Sequence, residues 1–352
     1  MLAKKRQAKP GRPAIAGDVA AQSAKGRNRH DRGPAVSPSA PVAIVGTGLI
    51  GRSWAICFAR RNHQVRLFDH VAGAADRAAA ALHDDLTALA AAGLLDGQDA
   101  AAVGARISVA RSLETAVADA GHVQENTPED LAVKRQIFAQ LDRAAPPDAV
   151  LASSTSALLP SRFSQGLTGA ARCLVAHPLN PPHLIPAVEI VPAPDTAPGT
   201  VAATAALMRA IGQQPIVMAK EIDGFVMNRL QGAVLDEAMT LVAQGYCSIA
   251  DVDAAMRDGL ARRWSFMGPF ETIDLNAPGG VSDFFRRYGA AYAEIGRQRP
   301  NRHAWQGALA ERVTAERREA LALHDLPARQ AWRDARLAAL ARHILDQNLS
   351  ES

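Results

Sequence analysis

The chain of 352 residues is long enough for two ordinary domains, each with its own buried core. Apolar residues make up 48% and charged residues 21%, and no apolar run approaches the ~20 residues of a bilayer span, which argues against an integral membrane protein. The net charge of +4 resides in residues 1–40, where nine Lys or Arg face only Asp18 and Asp31; the rest is mildly acidic, so no nucleic-acid partner is expected.

That basic segment is rich in Ala, Pro, Gly and Ser and nearly free of large apolar side chains, so residues 1–40 are expected to be disordered. It lacks the apolar stretch of a secretory signal. Cys57, Cys173 and Cys247 are scattered, with no spacing suited to a metal, which points to a reducing compartment and a cytoplasmic protein without a metal site.

Order is predicted to begin at Pro41, where Val42-Ala43-Ile44-Val45 is an uninterrupted apolar run of the kind a buried parallel strand shows. Ser53 to Arg61 has helical spacing, and Val65-Arg66-Leu67-Phe68 reads as a second strand ending on Asp69. A long alanine-rich helix follows from Ala72 to Leu95, then a strand at Ile107–Val109 and a helix at Leu113–Ala120. Further strands are predicted at His122–Gln124, Val150–Ala152, Cys173–Ala176, Ala187–Val191 and Pro215–Met218. Beyond Lys220 the pattern turns helical, with one amphipathic helix over Phe225–Gln244.

Gly46-Thr47-Gly48-Leu49-Ile50-Gly51 is G-x-G-x-x-G set between a strand and a helix, with Asp69 closing the next strand 23 residues after the first glycine. In that setting Gly46 permits the tight turn and Gly48 lets a pyrophosphate approach. Leu49 and Ile50, between the second and third glycines, are counted with the cofactor-binding turn, and Gly51 lets the helix pack closely. Asp69 accepts from ribose hydroxyls and repels a 2′-phosphate, which favours NAD over NADP. The expected architecture is therefore α/β: a Rossmann-type, mostly parallel sheet with helices on both faces over 41–220, followed by an all-helical domain over 221–345.

Three later segments carry a resemblance: Ala152-Ser153-Ser154-Thr155-Ser156, His177-Pro178-Leu179-Asn180-Pro181 and Gly224-Phe225-Val226-Met227-Asn228-Arg229. With Ala187-Val188-Glu189 and Met267-Gly268-Pro269-Phe270-Glu271, they resemble the 3-hydroxyacyl-CoA dehydrogenase family in order and spacing, over Val42 to about Ala277. Ile50-Gly51-Arg52-Ser53-Trp54, Gln124-Glu125 and Arg329-Gln330-Ala331-Trp332-Arg333-Asp334 resemble its lambda-crystallin branch, the L-gulonate 3-dehydrogenase type.

The resemblance implies that His177 is the general base and Glu189 its orienting carboxylate, that Ser156 and Asn228 hold the reacting oxygen, and that Glu129, Lys134 and Asn180 lie near NAD. It also implies a homodimer through the helical domain. Taken alone, His177 reads better as a satisfied core histidine, and Ser156 and Asn228 read equally as helix caps.

Lys is absent from Val71 to Val133, and Arg77 is the one permanent cation between Ala72 and Leu95, a poor setting for the phosphates of CoA. Arg262 and Arg263 precede Trp264, and a guanidinium at Arg263 suits a free carboxylate. The expected substrate is accordingly a small 3-hydroxy acid of the gulonate kind. A 3-hydroxyacyl-CoA, carnitine in a cage containing Trp264 and Phe266, and a non-catalytic structural role are the alternatives.

Overall fold

The computed structural model describes residues 40–298 and 322–350, with residues 311, 315, 318 and 319 between them. The basic segment, Ala40 apart, lies outside the described residues, and with it the expectation of disorder. Val42–Val45 forms β1, and its four side chains are all buried. The alternation explains why no polar position interrupts the run: Val42 and Ile44 join one core cluster with Trp54, Phe58 and Leu82, while Ala43 and Val45 join another with Phe138 and Leu141. A central strand of a sheet covered on both faces leaves no residue for solvent.

The chain continues through α1 (Leu49–Ala59), β2 (Val65–Phe68), α2 (Ala74–Ala91), α3 (Ala100–Gly104), β3 (Ile107–Val109), α4 (Leu113–Val117), β4 (His122–Glu125), α5 (Leu131–Ala144) and β5 (Val150–Ser153). Next come α6 (Ser161–Ser164), β6 (Cys173–Pro178), β7 (Ala187–Pro192), α7 (Pro198–Ala210) and β8 (Gln214–Val217). The eight strands form one sheet in the order β3-β2-β1-β4-β5-β6-β7-β8. All neighbours are parallel except β6 and β7. The order turns back between β1 and β4, and the crevice at their carboxyl ends is where an open α/β sheet receives a ligand.

Beyond the sheet lie α8 (Met227–Ala243), α9 (Ile249–Ala254), a π-helical turn at Ala255–Leu260, α10 (Ala261–Trp264), α11 (Pro269–Leu275), α12 (Gly280–Gln298) and α13 (Leu326–Ser350). Leu337, Ala338 and Ala341 of α13 pack back onto the sheet's α1–α2 face.

The helix expected over Ala72–Leu95 spans Ala74–Ala91 and that expected over Leu113–Ala120 ends at Val117, and two helix starts at the site differ for identifiable reasons. α1 starts at Leu49, not Ser53, because the glycine turn itself supplies the first helical residues. α8 starts at Met227 because Phe225 is held at φ +48°, outside helical space, and the Glu189 carboxylate caps the amides that follow. The apolar face expected along that helix, Leu230 to Val242, is largely uncovered: Val242 is buried, while Leu230 is 60% exposed.

Candidate active site

At the carboxyl end of β1 the glycine turn is determined by contacts that exclude side chains. Gly46 has φ +87°, and a Cβ there would stand 2.7 Å from the Asn126 carbonyl. At Gly51 it would stand 2.0 Å from the Gly46 oxygen. The space at Gly48 is open, and α1 begins there with no side-chain cap, so its first amides remain available to a pyrophosphate.

Asp69, at the end of β2, holds the turn: Oδ2 accepts from the Thr47 amide at 2.8 Å and the Thr47 hydroxyl at 3.0 Å, and Oδ1 accepts from the Val71 amide at 3.0 Å. Burial alone would raise its carboxyl; those hydrogen bonds and nearby His70 outweigh burial and bring it below the usual aspartate value. Asp69, Gly48, Arg52 and Arg77 line a cleft of about 470 Å³. These residues fit a dinucleotide. Leu49 is half exposed and Ile50 partly buried in the first turn of α1.

A second group gathers at the end of β6. His177 and Glu189 stand directly opposite each other on the antiparallel β6–β7 pair, and the imidazole Nδ1 lies 2.7 Å from Glu189 Oε2. The other carboxylate oxygen accepts from the amides of Val226 at 2.6 Å and Met227 at 2.8 Å. Burial raises the Glu189 carboxyl, and the His177 ring with the two amides more than reverses this, so its pKa falls below the ordinary glutamate value. The buried ring of Phe225 packs against the imidazole at 5.6 Å between centroids.

One residue after the Val226–Met227 pair, Asn228 Nδ2 donates to the Ser156 carbonyl at 2.8 Å. Ser156 lies in a loop bound by Glu129, whose carboxylate accepts from the Thr155 hydroxyl and from the amides of Ala157 at 3.0 Å, Leu158 at 3.3 Å and Ser156 at 3.4 Å. Glu129, Ser156 and Asn228 are thus brought together, and Asn228 follows directly on the helix start that Glu189 caps.

Three expected residues make no hydrogen bond to these groups among the described residues. Lys134 is fully buried, its ammonium donating to both Glu125 oxygens at 3.0 Å and to the Thr127 carbonyl at 3.1 Å. Asn180 is exposed beside Pro181. Arg263 sits half-buried in α10, and no hydrogen bond or ion pair among the described residues joins it to the His177 group. Glu125 and Phe225 went unassigned in the sequence, where burial and ring contact carry no spacing signal. Among the described residues no cluster suits a metal ion.

Residues 41–222 match the family model described as 3-hydroxyacyl-CoA dehydrogenase, NAD binding domain, and residues 224–319 match that of its C-terminal domain. The chain belongs to the 3-hydroxyacyl-CoA dehydrogenase family. Members of this family are NAD-dependent dehydrogenases, and so is this protein.

The bovine lambda-crystallin homolog is 44% identical over 89% of this chain and 99% of its own length. L-Carnitine dehydrogenase of Streptomyces griseus is 40% identical over 73% of this chain and 77% of its own. Among solved structures, an NAD-dependent 5-formyl-3-hydroxy-2-methylpyridine 4-carboxylic acid 5-dehydrogenase aligns with a TM-score of 0.75 and 28% identity, covering 88% of this chain and 99% of that one. In this family member no helix among the described residues is long and apolar enough to cross a membrane.

Proposed function

We propose that this dehydrogenase oxidises the 3-hydroxyl of a small free hydroxy acid of the L-gulonate kind, with His177 as general base. The observation that carries the reading is the His177–Glu189 pair at 2.7 Å. With Nδ1 held by the carboxylate, Nε2 is the nitrogen that takes the hydroxyl proton, and Glu189 stabilises the imidazolium that forms. Bound NAD supplies the acceptor for the hydride leaving C3. Ser156 and Asn228 position the reacting oxygen, and Phe225 keeps water from one face of the imidazole.

The free-acid reading draws on the absence of Lys from Val71 to Val133, which leaves CoA phosphates without ammonium partners. A full-length relative acting on a pyridine carboxylic acid favours the same substrate class. Arg263 is the proposed carboxylate ligand. Glu129 and Asn180 are kept at the cofactor's edge, while Lys134, which the resemblance puts near the cofactor, acts from its buried position only through Glu125 and Thr127. NADH formation from L-gulonate, L-carnitine and 3-hydroxybutyryl-CoA tests the assignment: L-gulonate should give the highest kcat/KM, and a marked preference for the thioester contradicts it.

The reading includes a cytoplasmic homodimer. Leu230, Phe266 and Phe270 are 60%, 74% and 77% exposed, and the aromatic stripe Phe285, Tyr288 and Tyr292 of α12 is likewise uncovered. Apolar surface of that extent favours a second copy of the helical domain. Light scattering should give twice the chain mass; a monomer at micromolar concentration removes this part of the proposal.

A further inference from the structure

Glu125, the last residue of β4, is solvent-inaccessible, yet its carboxylate is surrounded by donors. It accepts from the Thr127 amide at 2.6 Å, the Thr127 hydroxyl, the Ser153 hydroxyl at 2.5 Å, and Lys134 Nζ at 3.0 Å to each oxygen. Lys134 also donates to the Thr127 carbonyl at 3.1 Å. Both backbone polar groups of Thr127 are therefore tied to one buried ion pair. Such a pair is a costly way to fill a core, because two apolar side chains of similar volume are often as stable or more so. Its particular product here is a fixed conformation of the loop from Asn126 to Asp130.

That loop touches both halves of the site. On one side it stands against the glycine turn, where the Asn126 carbonyl lies 2.7 Å from the position of a Cβ at Gly46. On the other it carries Glu129, which binds the Thr155–Leu158 segment and so the backbone of Ser156, itself held by Asn228. A displacement of this loop by a fraction of an ångström would alter the cofactor turn and the substrate loop together.

We infer that Glu125, paired with Lys134, is a positioning residue for the reaction, setting the loop that registers the dinucleotide turn against the Ser156 loop. It acts through Thr127 and Glu129 and touches neither cofactor nor substrate.

The test compares Glu125→Gln, Lys134→Met and the apolar double variant E125M/K134M in the full chain. Melting temperature, NADH affinity by fluorescence, and kcat and KM on the best substrate are measured for each. The two single variants should each weaken NADH binding and lower kcat by at least about tenfold. The double variant should lose no more than the worse single one, since both act through one interaction. It should also melt within a few degrees of the native protein while its kcat remains low. Recovery of kcat and NADH affinity along with stability would make the pair ordinary packing and overturn the inference. So would a loss confined to Lys134→Met, which would place the lysine at the cofactor itself, or failure of all three variants to fold, which would make the pair a stability element.

Discussion

Glu189 faces His177 across the one antiparallel pair of the sheet, and the same carboxylate caps the helix that begins at Met227. Had β7 run parallel to β6, the short connection between the two strands would not have returned Glu189 to the level of the imidazole. The reversal brings the acid and base partners to the same end of the sheet, where His177 lies at the carboxyl end of its strand. Because Oε1 is committed to the Val226 and Met227 amides, the carboxylate cannot swing, and Oε2 keeps its direction toward Nδ1.

Glu189→Gln separates charge from shape. The amide oxygen can still accept from the helix amides, but it cannot stabilise an imidazolium. We expect kcat to fall by at least about tenfold with NADH affinity within twofold of native. Unchanged kcat measured across pH 6–9 would remove Glu189 from the proton transfer.

Asp69 is expected to set cofactor choice. Its carboxylate lies in the cleft beside Gly48, Arg52 and Arg77 and is held below the usual aspartate range, so it is anionic at neutral pH. Asp69→Ser removes the repulsion of a 2′-phosphate and leaves both guanidiniums in place. The ratio of kcat/KM for NADP to that for NAD should rise at least about tenfold. A ratio unchanged by the substitution contradicts this placement of the ribose.

Much of this architecture was legible in the sequence because it follows from local rules. The apolar run before Gly46, the glycine spacing and Asp69 report a strand, a turn and a helix that are contiguous in the chain. The His177 and Glu189 types and positions were readable, and their pairing depended on a strand reversal that the alternating strand and helix pattern does not announce. The pairing of Glu125 with Lys134 was opaque for a different reason. A charged residue on a helix is ordinarily solvated, and only the three-dimensional packing of α5 on the end of β4 shows that this one is enclosed. The helical region was legible as helix and not as a packed unit, since the partner of its apolar faces is not encoded in periodicity.

One buried and one partly buried histidine make stability depend on pH in the mildly acidic range. Burial pushes His122 down to about 4, and burial together with the Arg60 charge pushes His183 down to about 4. Both lie below the unfolded value, so the unfolded chain binds more protons between about pH 6.5 and 4, and stability falls as pH is lowered through that window. Each group contributes a slope of about 1.4 kcal/mol per pH unit once the unfolded histidine is fully protonated. Calorimetry should show the melting temperature dropping from pH 6.5 to 5, and His122→Gln should roughly halve the drop. A flat profile would mean that these rings are hydrated.

Thiol chemistry offers an independent check on the core. Cys57 and Cys173 are buried and burial raises them to about 11 and about 12, whereas Cys247 is only partly covered. An aromatic disulfide reagent should titrate at most one thiol in the native protein and three after denaturation. Rapid reaction of two native thiols would contradict the packing of α1 or β6.

Proton transfer is assigned to the imidazole at position 177, and His177→Ala measured against NADH binding tests that role most directly. The variant should bind NADH within about threefold of the native affinity while single-turnover oxidation of the preferred hydroxy acid slows by at least about a hundredfold. A variant that binds NADH and turns over at the native rate would show that the proton leaves by another route.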